Sequence, residues 1–107
     1  MEFDKQHVII TGGSSGIGKA TAIMLAKKGA HISIIARRQD ILCAAKAEIE
    51  AAKVYPEQRI ISVSASVEKL AQIEEAITTA IEQIDTPDLL ITSAGIAHPG
   101  YFHELPL

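Results

Sequence analysis

The chain has 107 residues, room for one domain at most, and 48% of them are apolar, enough for a packed core and against disorder. Its formal net charge is −3 with both signs mixed along the chain, which excludes a basic nucleic-acid face or a polybasic membrane patch. No apolar run approaches the ~18 residues of a membrane span, and Met1-Glu2-Phe3-Asp4-Lys5 opens no signal-peptide apolar region, so a soluble, cytoplasmic protein is expected.

The first strand is expected over Gln6 to Thr11, where the run His7-Val8-Ile9-Ile10 suits a parallel strand covered on both faces. A helix follows from about Ser15 to Lys28. Ile17, Ala20 and Met24 recur along it, Ile23 and Leu25 widen the stripe, and Gly29 is a natural stop. Small Gly16, Gly18 and Ala20 allow close packing on the strand. The second strand spans His31 to Ala36. Asp40 is placed to cap a second helix reaching Ala52 or Lys53, with Leu42, Ala45 and Ile49 as its buried stripe. Cys43 falls among alanines in that helix and reads as a small buried hydrophobe.

Arg59 to Ser64 forms the third strand. The third helix starts near Val67 or Glu68 and ends at Ile84, with Leu70, Ile73, Ile77, Ala80 and Ile84 as its apolar stripe. Leu89 to Thr92 is the fourth strand. Ser93-Ala94-Gly95 turns out of it, and the last dozen residues, with Pro99-Gly100, read as loop. Alternating strands and helices mean a parallel α/β fold. Right-handed crossovers then give a Rossmann-like sheet of order 3-2-1-4, with the first two helices on one face and the third on the other.

Thr11-Gly12-Gly13-Ser14-Ser15-Gly16-Ile17-Gly18 joins the first strand to the first helix. Strand, glycine turn and helix N-terminus in that order make a phosphate site, because the helix start leaves unpaired N–H groups and glycines let the backbone approach a pyrophosphate. Ser14 and Ser15 add hydroxyl donors. No Lys-Ser/Thr follows the last glycine, so this is not a Walker loop. The spacing of Gly12, Gly16 and Gly18, Thr-Gly-x-x-x-Gly-Ile-Gly, resembles that of the short-chain dehydrogenase/reductase family. Gly12, Ser14, Ser15, Gly16, Ile17 and Gly18 are therefore candidate cofactor ligands.

In dinucleotide folds an acid at the end of the second strand takes the ribose hydroxyls of NAD, whereas a basic residue meets a 2′-phosphate. Here the strand ends at Ala36, followed by Arg37 and Arg38, so NADP(H) is expected. Arg37 matches the family's phosphate arginine. Ser14 and Ser15 are placed to assist, and the alternative is that Arg38, and Arg37 with it, simply caps a solvated loop. After the third strand the family carries Asp-Val, whose acid holds the adenine. Ser66-Val67 stands there instead, and Ser66 is either an adenine contact or, like Ser64, a helix N-cap. After the fourth strand the resemblance implies that Ser93, Ala94 and Gly95 lie along the cofactor ribose, with Ser93 replacing an asparagine.

The family's catalytic pair, a tyrosine with a lysine four residues on, is not found. Tyr55 is followed by Arg59 and lies in a loop, and Tyr101 is followed by Leu105. No catalytic residue is therefore assigned. The resemblance covers the whole chain but only the first half of the family's fold. Residues 1–107 are expected to be an N-terminal dinucleotide-binding part without the catalytic half, inactive in hydride transfer alone.

Gly13-Ser14-Ser15-Gly16-Ile17-Gly18-Lys19, Ala36-Arg37-Arg38, and Ser93-Ala94-Gly95-Ile96-Ala97 with Gly100-Tyr101-Phe102-His103-Glu104-Leu105 resemble one subgroup, the 3-ketodihydrosphingosine reductases. That implies an NADPH-dependent parent acting on a long-chain keto substrate. Phe102 and Leu105 would line its acyl site or pack as ordinary helix residues. The alternative is a standalone nucleotide-binding or interaction domain without catalysis. His7 and His31 start strands and His98 and His103 fall in the last loop, so no metal site is expected. The fourth strand would lack an outer neighbour, and its open edge with uncovered apolar surface favours a homo-oligomer, by dimerisation or strand exchange.

Overall fold

The apolar runs are buried on both faces in a computed structural model, which describes residues 4–12, 16–66, 69–92 and 95–97. Strands β1 (His7–Thr11), β2 (His31–Ala36), β3 (Ile60–Ser64) and β4 (Leu89–Thr92) alternate with helices α1 (Gly16–Ala26), α2 (Gln39–Ala51) and α3 (Leu70–Gln83). The strands form a parallel sheet in the order β3-β2-β1-β4, with Val8 paired to Ile32 on one side and Leu89 on the other. This is the expected Rossmann-like architecture.

The two faces hold separate clusters. Val8, Ile10, Ile32 and Ile34 pack with Ala22, Leu25 and Ala26 of α1 and Leu42, Ala45 and Ile49 of α2. Ile9, Ile35 and Leu90 pack with Ile73, Ala76 and Ala80 of α3. Each fully buried isoleucine contributes about 1.5–3 kcal/mol. Among the described residues no helix is long and apolar enough to cross a membrane.

Several local expectations are corrected. The buried stripe of α1 is Ala22, Leu25 and Ala26, while Ile17 is 87% exposed and Met24 51%. Leu70 on α3 is exposed, and Ala76 takes a buried place in that stripe. Asp40 lies one residue inside α2, whose N-cap is Arg38, and Lys69 is the N-cap of α3 in place of Ser66 or Ser64. Cys43 is exposed, since it follows the buried Leu42 by one residue and turns off the stripe. A fifth strand, β5 (Gly95–Ala97), pairs antiparallel with β4 through Thr92↔Gly95 and Leu90↔Ala97. Gly95 to Ala97 therefore do not read as turn and loop, and the outer edge of β4 is occupied. The remaining C-terminal expectations, at Pro99, Gly100, Tyr101, Phe102, Leu105, His98 and His103, lie outside the described residues.

Gly29 ends α1 as expected, at φ +93. Its N–H bonds the Ala26 carbonyl at 3.1 Å and the Ala30 N–H bonds Leu25 at 3.2 Å, the paired bonds of a Schellman motif. A Cβ at Gly29 would come 2.1 Å from Asp4 Oδ1. Buried Gln58 ties this corner down. Its Nε2 donates to the carbonyls of Ala26 and Ala30 at 2.9 and 2.7 Å, and its Oε1 accepts from the N–H groups of Val54 and Tyr55 at 2.7 and 2.8 Å.

At the opposite end of the strands from the glycine turn, His7 is 1% exposed. Its Nδ1–H donates to the Asp85 carbonyl at 2.7 Å, and its Nε2 accepts from Ser33 Oγ at 2.6 Å. A carbonyl only accepts, so this tautomer is fixed. The neighbouring His31 accepts the Arg59 N–H on its Nδ1 at 2.9 Å. Burial is the first cause that pushes both histidines below their ordinary pKa. An imidazole with a depressed folded pKa stabilises the fold fully above its unfolded value of ~6.5 and loses that contribution as pH falls through the folded value. Urea denaturation should therefore show constant stability above about pH 6.5 and a fall below it, before carboxylates titrate. His7→Gln should lower stability at neutral pH and flatten that fall. An unchanged slope in the variant would refute the assignment.

Candidate cofactor site

The strand order puts the switch point of the sheet at the carboxyl ends of the neighbours β1 and β4. A cleft of about 290 Å³ lies there, lined by Ile10, Thr11, Gly12, Ile17, Gly18, Thr21, Ile91 and Thr92. The N-terminus of α1 forms one wall, and its first-turn N–H groups have no intrahelical acceptor.

Two glycines shape the cleft. Gly12 has φ +77, and its N–H donates to the Ile35 carbonyl at 2.7 Å, tying the turn back to β2. Gly16, the first residue of α1, has φ +60. A Cβ there would meet nothing within 4 Å, so glycine is required by the left-handed backbone and not by crowding. This corrects the packing role expected of Gly16.

Gly12, Ile17 and Gly18 are thus brought together at the cleft. The exposure of Ile17 follows from its position on the cleft wall, away from the core. Ser14, Ser15, Val67, Ser93 and Ala94 lie outside the described residues. Gly95 starts β5, one strand over. Sequence reading overlooked Thr21 and the β4 wall of Ile91 and Thr92. Thr21 follows Gly18 by three residues, one helical turn, and that spacing was its available signal. Its Oγ1 donates to the Ile17 carbonyl at 2.8 Å.

The basic pair follows β2 at the same end of the sheet. Arg37 and Arg38 are both exposed. Ser64 Oγ donates to the Arg37 carbonyl at 2.9 Å, and the Ala65 N–H donates to the Ala36 carbonyl at 2.9 Å, so β3 holds the backbone from which Arg37 projects. Among the described residues no hydrogen bond or ion pair engages the Arg37 guanidinium. Arg38 Nη2 is 3.0 Å from Asp40 Oδ2. The Ile41 N–H and then Arg38 hold the Asp40 carboxyl below the usual carboxylate range.

Ser66 follows β3 at this end too. Its N–H donates to Gln72 Oε1 at 2.8 Å, so the side chain of α3 reaches back over the loop. Among the described residues no group of three His, Cys, Asp or Glu is placed to hold a metal ion.

The family model described as short chain dehydrogenase matches residues 6–107. The chain belongs to the short-chain dehydrogenase family. It is 41% identical over 100 residues to the 3-ketodihydrosphingosine reductase of Bos taurus, covering 92% of this chain and 30% of that protein. It is 37% identical over 106 residues to the 3-dehydrosphinganine reductase of Danio rerio, covering 98% of this chain and 32% of that one. The chain thus spans about a third of the length of these relatives. Among solved structures, the glucose dehydrogenase of Caenorhabditis elegans superposes with a TM-score of 0.77 at 35% identity, over 85% of this chain and 38% of that one.

Gly16→Ala should cost about 1–2 kcal/mol through its left-handed backbone. The check is a lower urea midpoint at unchanged slope. Gly16→Asn, which tolerates that conformation, should recover part of the loss.

Proposed function

We propose that this chain is the NADP(H)-binding part of a short-chain oxidoreductase that reduces a carbonyl by hydride transfer. The proposed substrate of the whole protein is a long-chain keto-amine of the 3-ketodihydrosphingosine type. Similarity to the Bos taurus reductase supports the substrate class. The observation that carries the choice of cofactor is the end of β2, where neutral Ala36 is followed by the exposed Arg37, whose guanidinium is unengaged among the described residues.

The residues present fit a dinucleotide. The backbone is left-handed at Gly12 and Gly16 on the way into the α1 N-terminus, where N–H groups and the helix dipole receive pyrophosphate charge. The exposed Ile17 side chain offers an apolar contact over the cleft and keeps water from it. Arg37 pairs with the 2′-phosphate, and Ser64 holds its backbone in place. The cofactor, when bound, supplies the hydride. The residues described here bind and orient it, and in our proposal they do not move the proton, so the chain alone is inactive.

Calorimetry with NADPH and NADH tests the assignment. NADPH should bind at least ~10-fold more tightly, the worth of one charge-assisted hydrogen bond, and Arg37→Ala should abolish the difference. Equal affinities in the unmodified chain, or a preference that survives Arg37→Ala, would overturn the choice of cofactor. In a separate assay, NADPH oxidation driven by a ketone substrate and catalysed by the 107-residue chain would overturn its inactivity.

A further inference from the structure

Tandem arginines at a phosphate site invite the assumption that both bind the phosphate. The structure gives them different surroundings. Arg37 is anchored through its carbonyl by Ser64, and its guanidinium is unengaged among the described residues. Arg38 is the N-cap residue of α2, and its Nη2 lies 3.0 Å from Asp40 Oδ2, two residues into the helix. A carboxylate offers a guanidinium the same paired oxygens that a phosphate offers. Asp40 therefore holds the surface that a second phosphate contact would use.

We propose that Asp40 is a specificity-determining residue that engages Arg38 and leaves Arg37 as the phosphate-pairing cation, which sets the strength of 2′-phosphate selection. This rests on the NADP(H) reading above. The pair is well exposed, with side chains 67% and 69% accessible, so its grip is that of a surface ion pair. Asp40 thus moderates the selection of the 2′-phosphate without preventing it.

The probe is 2′,5′-ADP against 5′-AMP, which differ by the 2′-phosphate alone and report on the adenosine half of the site. Calorimetry would compare the unmodified chain, Arg37→Ala, Arg38→Ala, Asp40→Asn and the double variant Arg38→Ala/Asp40→Asn. Arg37→Ala should lose ~10-fold or more for 2′,5′-ADP, and Arg38→Ala about twofold at most. Asp40→Asn should tighten 2′,5′-ADP by about two- to five-fold, the scale of an exposed ion pair, and leave 5′-AMP unchanged. The double variant should lose that gain. A gain that persists in the double variant would mean that removing one negative charge suffices, and would overturn the role of Arg38. No gain in Asp40→Asn, or a loss in Arg38→Ala equal to that in Arg37→Ala, would overturn the inference while leaving the NADP(H) reading intact. Equal binding of 2′,5′-ADP and 5′-AMP by the unmodified chain would remove both. Circular dichroism of each variant separates lost binding from lost fold.

Discussion

Every crossover in a parallel sheet must turn the same way, and that constraint produces the cleft. From β1 through β2 to β3 the chain steps outward in one direction, and right-handed turns put α1 and α2 on one face. To pair β4 with β1 the chain must step back past its own start, and the same handedness then drops α3 onto the opposite face. The helix that leaves β1 and the helix that enters β4 consequently lie on opposite faces of two hydrogen-bonded neighbours. No side chain has to be spent on making the opening. The left-handed turns at Gly12 and Gly16 lie at this edge, along the route from the end of β1 into α1.

Order and type of the elements were legible because they rest on runs and periods that tertiary packing reinforces. Val8-Ile9-Ile10 and Ile32 to Ile35 have too little polarity for an exposed face, so covered parallel strands were the consistent solution. The Leu42, Ala45 and Ile49 stripe was legible for the same reason. What failed was phase and detail. In α1 nearly every position is small or apolar, so period alone could not tell the core face from the cleft wall, and Ile17 went to the wrong side. Asp40 looked like a cap by type, but its partner is Arg38, and residue identity does not encode that choice.

The candidate site was legible in its glycines and arginines and illegible in its walls. Glycine at a left-handed position and a guanidinium at a strand end announce themselves by type. Ile91 and Thr92 reach the cleft only because β4 lies beside β1, a relation between segments some 80 residues apart. Ser64 is similar: its hydroxyl looked like an N-cap, but the register of β3 against β2 puts it under Arg37. β5 was missed because Gly95-Ile96-Ala97 carries no alternation, and the edge of β4 supplies what the segment's own pattern lacks.

Gln58 shows how an irregular stretch can be as selective as a motif. It sits in neither helix nor strand, in a connection that by composition tolerates exchange. Yet one side chain must give two protons to carbonyls and receive two from N–H groups at once. Glutamate would turn an oxygen toward the carbonyls of Ala26 and Ala30, and methionine would leave the Ala30 carbonyl and the Val54 and Tyr55 N–H groups without this partner and Ala26 with the Gly29 N–H alone. Asparagine is one methylene short. The substitutions acceptable at position 58 therefore shrink to almost none, for chemical reasons unrelated to any ligand. Invariance there among related chains would report on how the α2–β3 connection is tied to the end of α1 and would say nothing about activity.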